Sequence, residues 1–227
     1  VGLVDAQNVD PSRAAPALND LDVNKIISQF TSGETAFQEE FGRYGYKLEL
    51  YVQSVRNGKV VDEYRRVSQI LLNKDGKLVE KMLSFTKPSV DIRFTREDLD
   101  NFGGPYQFAL QASNANQYHF AYVGKEQVNN LGLYVFDVSP VSLSSKRRLF
   151  HGRIWVAVDS LGIVKTQGKF EDKSGQKYPV IEMYRTVIDN RFLFPASGSG
   201  DNELVFADGQ SVHLQLRINY SDFVKLQ

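Results

Sequence analysis

The sequence predicts a mainly β protein with few helices, of the α+β class. A strongly curved antiparallel sheet of about ten or eleven strands is expected, covered by an N-terminal helix and a short central helix. Three observations predict it. Apolar and polar residues alternate with a period of two along segment after segment, the signature of half-buried strands. Turn chemistry separates these segments, with Asn57-Gly58 the strongest hairpin signal. Aromatic residues make up 12% of the chain, with 15 Phe and 11 Tyr, and aromatic enrichment favours strands.

The elements follow in order. Residues 1–19 are small, polar and proline-bearing, and are expected to be a flexible segment with a removed signal peptide upstream. Residues 20–227 show no linker and no internal repeat, so one domain is expected there. Asp22 is a good N-cap, and Val23, Ile26, Ile27 and Phe30 follow at helical spacing. Thr31-Ser32-Gly33 should interrupt this helix, with Phe37 and Phe41 continuing it. From Tyr44 the period changes to two, and Tyr46, Leu48, Leu50 and Val52 share a face. Strands from Val60 to Leu72 and from Lys77 to Phe85 meet at Asn73-Lys74-Asp75-Gly76. Thr95-Arg96-Glu97-Asp98 has the form of a capping box for a short helix ending at Phe102, which Gly103-Gly104-Pro105 stops. Tyr106, Phe108 and Leu110 lead into an irregular polar run. Strands resume at Tyr118 to Val123, Leu131 to Val138, Val180 to Ile188, Phe192 to Pro195, Glu203 to Phe206 and Ser211 to Tyr220.

The most informative stretch is the hairpin Leu149 to Phe170. Phe150, Ile154, Val156 and Val158 lie on one face of its first strand, and His151, Arg153, Trp155 and Ala157 on the other. The return strand sets Val164, Thr166 and Phe170 against Lys165, Gln167 and Lys169. A connection from Asp159 to Ile163 places Val158 opposite Val164 and Val156 opposite Thr166. That row should face the covered side of the sheet, with Trp155, Arg153 and Lys165 on the other face.

Composition excludes several functions. The 27 basic and 27 acidic residues cancel, so the broad positive field of a nucleic-acid binder is missing. Without cysteine there are no disulfides and no thiolate metal sites. No apolar run is long enough for a membrane-spanning helix. His119, His151 and His213 fall in separate strands and outside metal-binding pairs, which makes them wet-face strand histidines. Glu39-Glu40 and Glu97-Asp98 are adjacent acids that would not face each other on a helix, and Asp98 is better explained as a cap. Nucleophile elbow and phosphate loop are both missing. No catalytic, cofactor or metal residue is therefore assigned, and no enzyme is expected. Lys146-Arg147-Arg148 has the size of an ordinary solvated loop; contact with anionic head groups or an acidic partner is the functional alternative.

The segment YHFAYVGKEQVNNLGLYVFDVSPV (Tyr118 to Val141), followed by GRIWVAVDSLGIVK, resembles the paired central strands of the periplasmic lipoprotein carriers and receptors, the LolA/LolB-like outer-membrane lipoprotein-sorting superfamily. YRTVIDNRFLFP and GDNELVF resemble secreted bacterial proteins near it. The element order from about residue 20 onward is also similar. The resemblance implies an unclosed half-barrel with a helical lid, in the periplasm or at the outer membrane, holding acyl chains of a lipid or lipoprotein. On that reading the candidate lining residues are Tyr46, Leu48, Leu50, Val52, Leu83, Phe85, Leu99, Phe102, Phe120, Tyr122, Ile154, Val156, Val164, Leu214, Leu216 and Ile218. A monomer without cofactor or nucleic-acid partner is expected. The alternative is an envelope sensor or interaction module with a protein partner, and a hydrolase ranks last.

Overall fold

The computed structural model describes residues 20–73, 77–86, 94, 98–99, 102, 110–189 and 192–226. The expected flexible segment 1–19, the turn residues 74–76, the capping residues Thr95 to Glu97, the stop at Gly103-Gly104-Pro105, and Tyr106 and Phe108 lie outside them.

Helix α1 (Asp20–Phe41) is continuous over 22 residues, about 33 Å at the α-helical rise. The expected interruption at Thr31-Ser32-Gly33 does not occur. The Thr31 and Ser32 hydroxyls donate back to the Ile27 and Ser28 carbonyls, each at 2.8 Å, which accommodates both residues inside a helix. Tertiary packing overrides the weak local propensity. Ile26 and Phe30 are buried on the N-terminal side of these residues, and Phe37 and Phe41 on the C-terminal side.

Among the described residues ten strands follow: β1 (Tyr44–Arg56), β2 (Lys59–Leu72), β3 (Leu78–Phe85), β4 (Tyr118–Val128), β5 (Leu131–Pro140), β6 (Leu149–Ala157), β7 (Ile163–Glu171), β8 (Ile181–Ile188), β9 (Phe192–Val205) and β10 (Ser211–Lys225). They form one antiparallel sheet in the order β3-β2-β1-β10-β9-β8-β7-β6-β5-β4. Its two edges, β3 and β4, are consecutive in the chain yet unpaired with each other, so the curved sheet is an unclosed half-barrel. Between them lie the helical residues Asp98, Leu99 and Phe102, all buried, and a 3-10 helix, Ala112–Gln117, where the sequence shows a polar run.

The covered face holds two apolar clusters. The larger joins β1, β2, β8, β9 and β10 to Phe37, Phe41, Leu99 and Phe102. The smaller joins β4 to β7 to Ile26, Phe30 and Leu110. Helix α1 crosses both. Phe30 meets Phe120 and Phe136 at centroid distances of 5.5 and 5.6 Å, and Phe41 meets Phe194 edge-on at 5.2 Å.

Two expectations are corrected. The sequence suggests two short strands around Ala196 to Asn202, but β9 runs straight through. A Cβ on Gly198 would stand 2.6 Å from Met183 Cε, and one on Gly200 2.6 Å from the Val180 carbonyl oxygen. These glycines permit close packing and do not break the strand. The β6–β7 hairpin closes earlier than expected, with the Ala157 N–H donating to the Gly162 carbonyl at 2.9 Å. Val156 therefore pairs with Ile163, and Ile154 with Thr166, across a bulge. Val156 faces α1 and Trp155 faces away, as expected. The bulge turns Val164 to the Trp155 side, and Ile163 takes the inner position.

Gly152 faces Gly168 across β6 and β7. A Cβ on Gly152 would lie 2.2 Å from the Gln167 carbonyl oxygen, and one on Gly168 2.7 Å from the Phe150 ring. At Gly33, by contrast, a Cβ would meet nothing within 4 Å. We expect Gly152→Ala to lower unfolding free energy by about 1–3 kcal/mol through overpacking. Gly33→Ala should raise it by about 0.5–1 kcal/mol through helix propensity. Urea unfolding of both variants checks the pair.

Candidate functional site

The two clusters meet along a seam. Phe150 on β6 and Phe170 on β7 come from the smaller cluster, with ring centroids 6.0 Å apart. Ile181 and Met183 on β8, with Phe102, come from the larger. Between them lies an apolar cavity of about 40 Å³. Gly168 forms part of its wall, and the lack of a side chain there lets the Phe150 ring lie over β7. This is room for a few water-sized groups.

Its mouth is polar. Thr166, Pro179, Tyr178 and Arg148 complete the lining, with the guanidinium 4.5 Å above the tyrosine ring. Arg148 Nη2 donates to Asp98 Oδ1 at 2.6 Å, and the Tyr178 hydroxyl donates to the same oxygen at 3.3 Å. Asp172 lies 3.8 Å from Arg148 Nε. Burial, followed by the Asp98 charge, pushes the Tyr178 phenol up to about 12.

Two further buried polar groups sit under the helices. Glu34 on α1 and Arg185 on β8 form a bidentate pair at 2.6 and 2.8 Å, with both side chains at most 3% exposed. Arg185 also stands 4.8 Å over the Phe37 ring. At the β1–β2 end, Arg66 is buried on β2 with Glu80 at 3.7 Å, and the Ser68 hydroxyl bonds to Glu80. Burial, with the Glu80 charge second, pushes Tyr46 up to about 12, and burial raises the neighbouring Tyr220 further.

The outer face differs. Leu133, Val135, Trp155 and Ala157 form a small third cluster with Val164. Trp155 Nε1 donates to Glu126 at 2.8 Å, and Lys165 Nζ stands 4.5 Å over the indole. A wider groove of about 420 Å³, lined by Tyr51, Gln53, Asp201, Gln215 and Arg217 among others, is polar and open to water. His151 pairs with Glu171, and His213 with Asp201, on exposed surface. Among the described residues, no group of three or more His, Asp or Glu side chains is arranged to hold a metal ion. Among them also, no helix is long and apolar enough to cross a membrane.

The candidate lining residues divide. Tyr46, Leu48, Leu50, Val52, Leu99, Phe102, Leu214, Leu216 and Ile218 belong to the larger cluster, and Phe120, Tyr122, Ile154 and Val156 to the smaller. Val164 belongs to the outer one. Leu83 and Phe85, also named as candidate lining residues, sit on edge strand β3 and are 52% and 49% exposed. Only Phe102 of the set lines the seam cavity. Phe150 and Phe170 are visible in the sequence as members of apolar rows. Nothing local in the sequence points to Arg148 with Asp98, or to Glu34 with Arg185, which are 50 and 151 positions apart.

The chain matches no family model and none of the curated proteins. Among solved structures it is similar to a LolA superfamily protein, NE2245, from Nitrosomonas europaea, at 14% identity, 93% coverage of this chain, 94% of that one, and a TM-score of 0.39. A DUF1329 family protein from Desulfovibrio piger gives 14% identity, 88% and 92% coverage, and a TM-score of 0.42. An outer membrane lipoprotein-sorting protein domain from Vibrio parahaemolyticus gives 12%, 87%, 91% and 0.43.

Two outcomes are expected. Glu34→Gln or Arg185→Met alone should cost about 3–5 kcal/mol in urea unfolding, because each leaves a buried polar partner. Combining Glu34→Leu with Arg185→Met should recover most of that loss. Separately, Tyr46 and Tyr178 have folded pKa values raised above the ordinary 10. Their stabilising contribution is complete below about pH 10 and is lost as pH rises through about 12. Ultraviolet titration should show a late-ionising tyrosine class, and stability should decline across that window.

Proposed function

We propose that this chain is a non-enzymatic, extracytoplasmic binding protein that takes acyl chains of a lipid or lipoprotein into the seam between its two apolar clusters. The carrying observation is the seam cavity, walled by Phe102, Phe150, Phe170, Ile181 and Met183. The superfamily resemblance of Tyr118 to Lys165 supports the same reading.

The cavity is too small for a chain as it stands, so binding requires the two clusters to part beneath the helices. The magnitudes allow it. Each methylene removed from water gains about 0.8 kcal/mol, while separating a buried ion pair such as Glu34–Arg185 costs about 3–5 kcal/mol. About six methylenes therefore offset the loss of that pair. No specially placed charge is needed for the chain itself, which fits a site without a catalytic constellation.

Delipidated protein should take up a fluorescent fatty acid saturably at micromolar concentration. Ile181→Trp, which places bulk at the cavity wall, should weaken uptake about tenfold or more while leaving the far-ultraviolet circular dichroism unchanged. Absence of uptake by the native chain overturns the reading. One stable protein partner recovered from envelope extract, with no lipid in either, favours the interaction-module alternative.

A further inference from the structure

We infer that the seam selects amphiphiles with an anionic head group, and that Arg148 receives that head group. The inference rests on the acyl-chain reading above and adds the chemical class of the ligand.

Arg148 is the charged side chain in a lining that is otherwise apolar apart from the hydroxyls of Thr166 and Tyr178. Its side chain is 21% exposed, so the guanidinium is reachable from water at the mouth. It is also held in place. Tyr178 stacks against its face at 4.5 Å, and Asp98, only 7% exposed, fixes one Nη2 donor at 2.6 Å. A guanidinium carries five N–H donors in a planar fork suited to two oxygens of a carboxylate or phosphate.

Asp172 is the group an incoming anion displaces. It stands 3.8 Å from Arg148 Nε, beyond hydrogen-bond reach. Its Oδ1 already accepts the Ser174 backbone N–H at 2.7 Å, together with the Ser174 hydroxyl. Asp172 therefore keeps partners of its own when Arg148 turns to a ligand. Asp98 stays behind the guanidinium and maintains its charge and orientation.

The surrounding charge has the right sign. The Lys173 N–H donates to the Ser144 carbonyl at 3.0 Å, which ties the loop after β7 to the loop before β6. Lys146, Arg147 and Arg148 lie in that second loop, and Lys146, Arg147 and Lys173 are exposed. Lys146, Arg147 and Lys173 thus lie within two residues of Arg148 or Asp172 along the two tied loops, in a chain whose charges balance at 27 each. An anion attached to a buried chain gains from this local excess, and a neutral head group does not.

The test compares three probes with one chain length: hexadecanoate, hexadecyl phosphate and hexadecanol. At low salt the native protein should bind at least one anionic probe about tenfold or more tightly than hexadecanol. Raising the salt should shrink that preference. The stronger anion tells a fatty-acid carboxylate from a phosphate head group. Arg148→Gln combined with Asp98→Asn, so that no buried carboxylate is left unpaired, should bring all three affinities together at the hexadecanol value. Equal binding of neutral and anionic probes by the native protein overturns the inference, as does a preference that survives the double substitution. If the double variant does not fold, the salt series on the native protein decides, and a preference unchanged by salt overturns the inference. Failure of all three probes to bind overturns the acyl-chain reading beneath it.

Discussion

A curved sheet that does not close leaves one apolar face that has to be covered, and the rest of this structure depends on how α1 does it. At about 33 Å the helix spans both apolar clusters. Ile26 and Phe30 pack on one, Phe37 and Phe41 on the other. Near the crossing sits the Glu34–Arg185 pair, shut away from water. Its net contribution to stability is small, because two desolvated charges recover little more than they lose. Its contribution to position is large. Moving α1 relative to β8 leaves a buried charge without its partner, so the helix has one strongly preferred placement.

The same arrangement leaves the seam as the part of the covered face best able to change. The larger cluster holds edge-on aromatic contacts such as Phe41–Phe194, and the smaller one Phe30–Phe120. Between the clusters, packing thins to a cavity walled by side chains from both. Apolar surface is non-directional in what it accepts, so on the proposed acyl-chain reading the seam would exchange protein–protein contact for contact with the chain without new chemistry. Beside it, Arg148, Asp98 and Tyr178 form a connected polar group, which under the proposal would give that exchange a direction.

The β6–β7 hairpin packs on both faces, which is uncommon for a sheet with one wet side. Its inner row serves the smaller cluster, and its outer row buries Trp155 against Leu133, Val135 and Ala157. The Gly152–Gly168 pair lets the two backbones approach where any Cβ would collide. The Phe150 ring lies over Gly168 of β7 and reaches the seam. Backbone shape there sets the geometry of the site.

The period-two rows by themselves determined that the chain is a mostly antiparallel β protein, which face of β1, β6 and β10 turns inward, and that Trp155 lies opposite Val156. Alternation is a local property of the strand, so a single sequence carries it. Tertiary structure decided the rest. It kept α1 intact through Thr31-Ser32-Gly33 and β9 intact through Gly198 and Gly200, because packing outweighs local propensity. It placed Val164 outside through a bulge, and left Leu83 and Phe85 half-exposed because alternation cannot say which strand is an edge. It also brought Glu34 to Arg185 and Asp98 to Arg148. Pairs so far apart in the chain meet only once the sheet has curled, and no local pattern records which partners that curl selects.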